Sequence, residues 1–367
     1  MLTEREQELL RWIEENPLIS QQELADYAGI TRSSVAVHIS NLMKKGFIQG
    51  KGYVLRKNPY VAIVGGANID IIGNAECDLK LQDSTPGNVE VLLGGVGRNQ
   101  AHNLRLLGVD VKMITMFGDD MYGQKIKQSF RELGIDITES ITLPGSATST
   151  YVSVKDTNGK LYAGISDMKI YENLTKDILA PKIPMINQAA VCICDTNIPE
   201  ESLCYLADNI QVPLFIETIS SAKVLKISNI LARIHTLKTD CAEIQHLLGY
   251  ALSDKQATQK AIDTLLDRGV KNIFMNYSPT TVVCANAEET LYLDYHISGM
   301  ENKNGARDSF MAALAWAYIN NCDFEQVARA GVAAASICAI SRHVVNERLN
   351  DEYMVDVMNG KREIEAK

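Results

Sequence analysis

Between Val61 and Tyr277 the chain repeats one pattern: a run of apolar residues, a glycine or polar turn, then a helix with one apolar stripe. VAIV (61–64) runs into Gly65-Gly66, and VEVLLGG (89–95) leads into the helical VGRNQAHNLRLLG. VKMITMFGDD (111–120), AVCICDTN (190–197), PLFIETI (213–219), IHTLK (234–238) and KNIFMNY (271–277) follow, most of them trailed by a helix. Strands that are apolar without alternation must be covered on both faces. That requires a doubly wound, mostly parallel sheet with helices on both sides and ligands at the strand C-termini. Two stretches, 73–93 and 147–164, are β-rich without a helix of their own, and they are expected to pair as a lid over the site.

The pattern starts only after Asn58-Pro59, so residues 1–57 form one domain and 58–367 another. LTEREQELLRWIEEN carries a capping box, Thr3 with Glu6, and apolar residues at 2, 9, 10 and 13. Ser20 with Glu23 repeats the device, and Gly29 ends that helix. Thr31 caps a third helix with the stripe Val35, Ile39 and Leu42 with Met43, stopped at Gly46. FIQGKGYVL (47–55) reads as a hairpin about the turn GKG. Three short helices and a hairpin make a winged helix-turn-helix, similar in order to many bacterial regulators.

Charge separates the two parts. The net charge is −9, yet residues 1–57 hold eight basic and seven acidic groups, and no acid occurs between Gly29 and Lys57. An acid-free face on an acidic protein points to a polyanion partner for that segment alone. Arg32, Ser33, Ser34 and His38 open the third helix, where such folds read base edges, and Lys44, Lys45 and Lys51 are placed to meet phosphates. A solvated dimerisation module would share the same pattern. One module of this size binds DNA weakly, so a homodimer is expected.

No apolar run reaches the ~20 residues of a membrane helix, and the eight cysteines show no CxxC pair. A reduced, cytoplasmic, metal-free framework is expected, with Cys192 and Cys194 as buried thiols on one strand face.

GGVGRNQA (94–101) matches Gly-Gly-x-Gly-x-Asn-x-Ala, it follows Gly65-Gly66-Ala67-Asn68-Ile69-Asp70, and it precedes GDDMYG (118–123). With NGARDS (304–309) some 200 residues later, this ordered set resembles the ribokinase-like (PfkB) sugar and nucleoside kinases across 60–350. ANIDIIG, DSTPGNVEV, TSTYVSV and IHTLK look most like pseudouridine kinases within that family. The resemblance implies phosphorylation of the ribose 5′-hydroxyl of pseudouridine or a related nucleoside or sugar, using ATP and Mg²⁺. It also implies K⁺ support, which the family draws from an Asp at the position of Asn302.

Carried over residue by residue, Asn68 and Asp70 hold ribose hydroxyls, Gly95 and Gly97 let backbone approach the sugar, and Asn99 adds a contact. Ser149 and Tyr151 close over the substrate from the lid. Asp308 is the general base, and backbone N–H groups from Gly305 through Ala306 and Arg307 to Asp308 form an anion hole. Taken alone, NGARDS is an ordinary helix start.

The nucleotide side departs from the family pattern. Arg307 replaces the second glycine of Gly-Ala-Gly-Asp, where a Cβ is costly if φ is positive, or where its guanidinium clamps phosphate. The Asn-x-x-Glu element linked to Mg²⁺ reads Asp240-Cys241-Ala242-Glu243, and the glycine-rich nucleotide turn reads Asn276-Tyr277-Ser278-Pro279-Thr280-Thr281. Two readings stay open: an active nucleoside kinase with a DNA-binding module, or a transcription regulator whose kinase-like domain senses a nucleoside.

Overall fold

The computed structural model describes residues 2–50, 59–295 and 303–364, with backbone alone at 303–304. It divides into two compact units, Met1–Pro59 and Tyr60–Lys367.

In the first unit three helices, Glu4–Glu15, Gln21–Ala28 and Arg32–Lys44, pack around Leu9, Ile13, Leu24, Val35, Ile39 and Leu42. Both capping boxes form: Thr3 with Glu6, and Ser20 with Glu23. Gly29 ends the second helix in the left-handed region, φ 65°, which glycine reaches without a Cβ clash. Met43 is 46% exposed and stands off the buried stripe, because one residue beyond Leu42 turns about 100° around the helix. Ile48 is buried against the same core, whereas the expected hairpin from Lys51 onward lies outside the described residues.

The second unit is built on fourteen strands among the described residues: β1 Tyr60–Val64, β2 Asn68–Ala75, β3 Gly87–Gly94, β4 Asp110–Ile114, β5 Met116–Gly118, β6 Ile141–Leu143, β7 Thr150–Lys155, β8 Leu161–Asp167, β9 Val191–Asp195, β10 Leu214–Glu217, β11 Ile234–Asp240, β12 Asn272–Asn276, β13 Thr281–Ala285 and β14 Thr290–Asp294. Eight of them form one sheet, β14-β13-β12-β11-β10-β9-β1-β4. It is parallel from β4 to β12 and antiparallel through β13 and β14. β1 and β9 are buried at every position, as uninterrupted apolar runs require. Cys192 and Cys194 lie buried on one face of β9, both free thiols.

The stretches without helices do pair, as a four-stranded sheet in the order β3-β2-β7-β8. Its register sets Asp70 beside Tyr151, and Tyr151 beside Ser166. One register step on, Ile71, Val91, Val152 and Ile165 line up on the opposite face. Under the main sheet the Val96–Leu106, Lys303–Ile319 and Phe324–Ala339 helices share one apolar core. Gly331 matters there, because a Cβ at that position would come within 2.5 Å of the Phe310 ring. Among the described residues no helix is long and apolar enough to cross a membrane.

Candidate active site

The C-terminal ends of β1, β9, β10, β11 and β12 point to one region, as a doubly wound sheet dictates. A cavity of about 440 Å³ opens there, within the range of small-molecule sites. The lid contributes Asn68, Asp70, Tyr151 and Ser166 to its wall; the sheet ends contribute Asn197, Glu217 and Thr218; Arg307 and Asp308 come from the Lys303–Ile319 helix.

Asp308 is fully buried and at the cavity wall. Burial, with Glu217 nearby, pushes its carboxyl well above the usual carboxylate range; the Asn99 hydrogen bond and Arg307 pull the other way. Asn99 Nδ2 donates to Asp308 Oδ2 at 2.8 Å. The Asn99 carbonyl oxygen in turn accepts from Arg98 Nη1 at 3.1 Å, which fixes which end of the amide faces the acid. A buried Arg thus orients an Asn, and the Asn orients the acid. Lining the same cavity, Asn68 Nδ2 donates to Asp70 Oδ1 at 2.6 Å. Burial raises the Asp70 pKa to about 6, against the pull of Asn68 and Arg98.

The glycines divide. Gly95 lines the cavity at φ 100°, and a Cβ there would meet Ala67 Cα and Gly66 O at 2.6 Å. Gly94 has its own reason to lack a side chain: a Cβ would overlap the Asp70 carboxylate, at 2.4 Å from Oδ2. Gly97 is different. Its missing Cβ would meet Met113 and Gly65, so it serves helix-to-strand packing and does not line the cavity. Ser149 is likewise buried, with Oγ donating to Ala67 O at 2.9 Å. Its partner on the same strand, Tyr151, does line the cavity.

Arg307 carries no backbone strain, because it sits inside the helix and is absent from the positive-φ residues of the described chain. Its guanidinium clamps no phosphate in this conformation, because all five of its N–H donors are taken. Nε donates to Glu217 Oε1 at 3.3 Å; Nη1 donates to Asp240 Oδ2 at 3.1 Å and Glu243 Oε1 at 3.2 Å; Nη2 donates to Glu243 Oε2 at 3.2 Å and to the Thr218 carbonyl. Burial disfavours its charge, but Glu217 and Glu243 more than offset that, and its pKa moves upward. The helix begins at Lys303, so Arg307 and Asp308 lie more than a turn inside it, where the ladder takes their amides. Gly305 and Ala306 remain in the first turn.

Asp240 and Glu243 form the capping box of the Cys241–Leu248 helix. Asn276 Oδ1 accepts from Lys238 Nζ at 2.9 Å and from the Tyr295 hydroxyl at 2.7 Å. Lys238 is fully buried, and burial with Arg307 nearby lowers its pKa to about 8, against Glu217 and Glu243. Glu217 and Lys238 were not singled out from the sequence, though a Glu and a Lys in buried strands carry a signal: such residues are rarely fully buried without partners. Glu217 Oε2 accepts from Gln100 Nε2 at 2.6 Å, so neighbours on one helix, Asn99 and Gln100, reach the two central acids.

Whether a metal fits here is decided by the donors. Each oxygen of Glu217, Asp240 and Glu243 already accepts from a protein donor: Glu217 from Arg307 and Gln100, Asp240 from Arg307 and the Glu243 amide, Glu243 from Arg307, Thr218, Thr239 and the Asp240 amide. With the Arg307 cation already paired to all three acids, a second, divalent cation between them would meet like charge, so the cluster as folded does not fit one.

In the first unit, Ser33 and Ser34 hydroxyls each lie 2.9 Å from Thr31 Oγ1 on an exposed helix start, with Arg32 exposed beside them. Lys44 is exposed and His38 half-buried. Lys45 is committed elsewhere, with Nζ 2.7 Å from the buried carboxylate of Glu6. It ties the third helix to the first instead of standing free for phosphate.

Comparison with known proteins agrees with this geometry. The family model described as pfkB family carbohydrate kinase matches residues 58–348, and one for winged helix-turn-helix DNA-binding matches residues 2–49. The chain is 36% identical over 353 residues to the uncharacterised sugar kinase YeiI of Escherichia coli K12, covering 95% of this chain and 97% of that one. It is 32% identical over 308 residues to the pseudouridine kinase of the same organism, covering 83% and 98%. In fold it resembles the ribokinase of Thermotoga maritima, with TM-score 0.73 at 21% identity over 82% of this chain and 99% of that one. The chain belongs to the pfkB family of carbohydrate kinases, with a winged helix-turn-helix domain ahead of the kinase domain.

Proposed function

We propose that the second unit is an ATP-dependent kinase acting on the ribose 5′-hydroxyl of pseudouridine or a closely related nucleoside, and that the first unit binds DNA. The observation that carries the reading is Asp308, held by Asn99 in a cavity that Asn68 and Asp70 also line. Asp70 and Asn68 take the ribose diol, since a carboxylate accepts from two hydroxyls and an amide both donates and accepts. In this reading the 5′ end lies toward Asp308. The 5′-hydroxyl oxygen attacks the terminal phosphorus of ATP as the bond to ADP breaks, and the hydroxyl proton passes to Asp308 Oδ1, which no donor reaches among the described residues. A raised pKa brings this carboxylate closer to the strength a general base needs near neutrality. Gly305 and Ala306 lie in the first turn of the Lys303–Ile319 helix, whose positive end favours the developing phosphate charge. The likeness to a pseudouridine kinase at 32% identity supports the choice of nucleoside.

DNA contact rests on the matched winged-helix family and on Arg32, Ser33 and Ser34 at an exposed helix start. A homodimer is supported by the outer face of the lid, where Val89 is 65% and Ile165 71% exposed beside Val91 and Val152. Apolar patches of this kind usually meet a partner, and two half-sites on DNA call for two copies. The setting is cytoplasmic.

A second reading has one observation in its favour: Arg307 is locked into the acids on the nucleotide side. Under it the domain senses a nucleoside and regulates through the first unit. Incubation of the full chain with ATP, Mg²⁺ and a panel of nucleosides and sugars, read by mass spectrometry, tests the kinase directly. Appearance of a nucleoside 5′-phosphate supports it. Nucleoside-dependent change in DNA affinity without any phosphorylated product supports the regulator.

A further inference from the structure

We infer that the Arg307 guanidinium stands where a divalent cation would otherwise sit, filling the carboxylate cluster of Glu217, Asp240 and Glu243 so that the protein itself recruits no metal there. Three acids from three different elements converge at the C-terminal edge of the sheet: the end of β10, the end of β11 and the first turn of the Cys241–Leu248 helix. Without a cation between them, that many negative charges in a buried site would repel one another and titrate. Two of the three, Glu217 and Glu243, are 2% exposed, so water does little to screen them.

The guanidinium meets the cluster with a donor for every direction. It forks onto both oxygens of Glu243, reaches Asp240 with the same Nη1, and turns Nε to Glu217. Planar bidentate pairing of this kind is specific to Arg, and Lys would not reproduce it. The remaining carboxylate oxygens are closed by Gln100 and by the backbone amide of Glu243. Every carboxylate oxygen of the cluster thus has a protein donor, and among the described residues no group of three or more His, Cys, Asp or Glu is arranged to hold a metal. Because Arg307 adjoins Asp308 in sequence, this cation is carried by the same helix as the base. It therefore also lowers the Asp308 pKa that burial raises. The occupancy does not depend on phosphoryl transfer and holds under either reading of the function. In the kinase reading, any metal involved arrives on the triphosphate as part of the substrate.

Mn²⁺ titration of the full chain, free of nucleotide and substrate and followed by electron paramagnetic resonance, tests the idea. The wild-type chain is expected to leave Mn²⁺ free into the millimolar range. Arg307→Gln is expected to bind one equivalent and to gain thermal stability from it, and adding Glu243→Gln should abolish both effects. A wild-type site for one Mn²⁺ that disappears in Glu243→Gln overturns the inference, as does a folded Arg307→Gln chain that binds none. Should Arg307→Gln fail to fold, the wild-type and Glu243→Gln titrations still decide. None of these readouts uses catalysis, so failure here is separate from failure of the kinase reading.

Discussion

Asn99 Nδ2 donates to Asp308 Oδ2 at 2.8 Å, joining the Val96–Leu106 helix to the Lys303–Ile319 helix through residues 209 apart in sequence. The bond lowers the Asp308 pKa, while burial and Glu217 raise it.

Removing that bond should move the acid side of the activity profile. In the kinase reading Asp308 acts as base only when deprotonated, so activity is expected to be lost as pH falls through its pKa, which lies well above the ordinary carboxylate value. Asn99→Leu withdraws a contribution that lowers it, so the acid limb shifts to higher pH. kcat at neutral pH is expected to fall roughly tenfold to a hundredfold. A pH–rate profile of the variant checks this, and an unmoved limb with reduced kcat would assign Asn99 to substrate contact alone.

Asp70 sets a second pH dependence, on binding. Its pKa is raised to about 6 by burial, and the ionised form accepts from two hydroxyls where the neutral acid has to surrender one acceptor. Nucleoside affinity is therefore expected to be flat above pH 7 and to weaken by about tenfold per pH unit well below 6. Calorimetric titration across pH 5 to 8 measures it, with Asp70→Asn expected to be weak and pH-independent.

Arg307→Gly should cost stability. It leaves Glu217 and Glu243 buried without their cation, and removing one partner of a buried ion pair typically costs about 3–5 kcal/mol. Denaturant unfolding at pH 7 should show a loss of that order, smaller at pH 5, because burial raises the Glu217 pKa and eases its protonation there. An unchanged midpoint would mean the acids rearrange to water. The variant also tests the loop's history: restoring the family's glycine raises kcat only if Arg307 is a defect in phosphate handling, whereas the five-donor clamp predicts a fall.

Much of the fold was legible because it is written locally. Capping pairs three residues apart, Thr3 with Glu6 and Ser20 with Glu23, and unbroken runs such as VAIV and VCICD state their element and burial without reference to anything distant. The ordered glycine, Asn and Asp motifs likewise brought Asn68, Asp70, Gly95, Asn99, Tyr151 and Asp308 to one cavity. What could not be read was pairing at long range. Arg307 looked like a misplaced side chain in a phosphate loop because its partners lie 64, 67 and 90 residues upstream. Lys45 looked like a phosphate contact because Glu6, 39 residues earlier, gives no local sign of being its partner. Gly97 and Ser149 matched a motif position, and only their neighbours in space reveal packing and backbone support.

For the first unit, Arg32→Ala should weaken DNA binding and make the dependence on salt shallower by about one unit of log–log slope, as loss of one phosphate contact does. Lys45→Ala should instead lower thermal stability by releasing the buried Glu6. Fluorescence anisotropy over a range of salt, with a melting curve of each variant, separates the two roles. Equal salt slopes in Arg32→Ala and wild type would place the DNA contact elsewhere.

The most direct test of the central claim is single-turnover phosphorylation of pseudouridine by the wild-type chain and by Asp308→Asn, alongside the nucleoside affinity of each. The account predicts a nucleoside 5′-phosphate from wild type, a loss of about 10²–10⁴-fold in the variant, and nearly unchanged binding. Tight nucleoside binding by wild type with no product, or equal rates in the two chains, would contradict it.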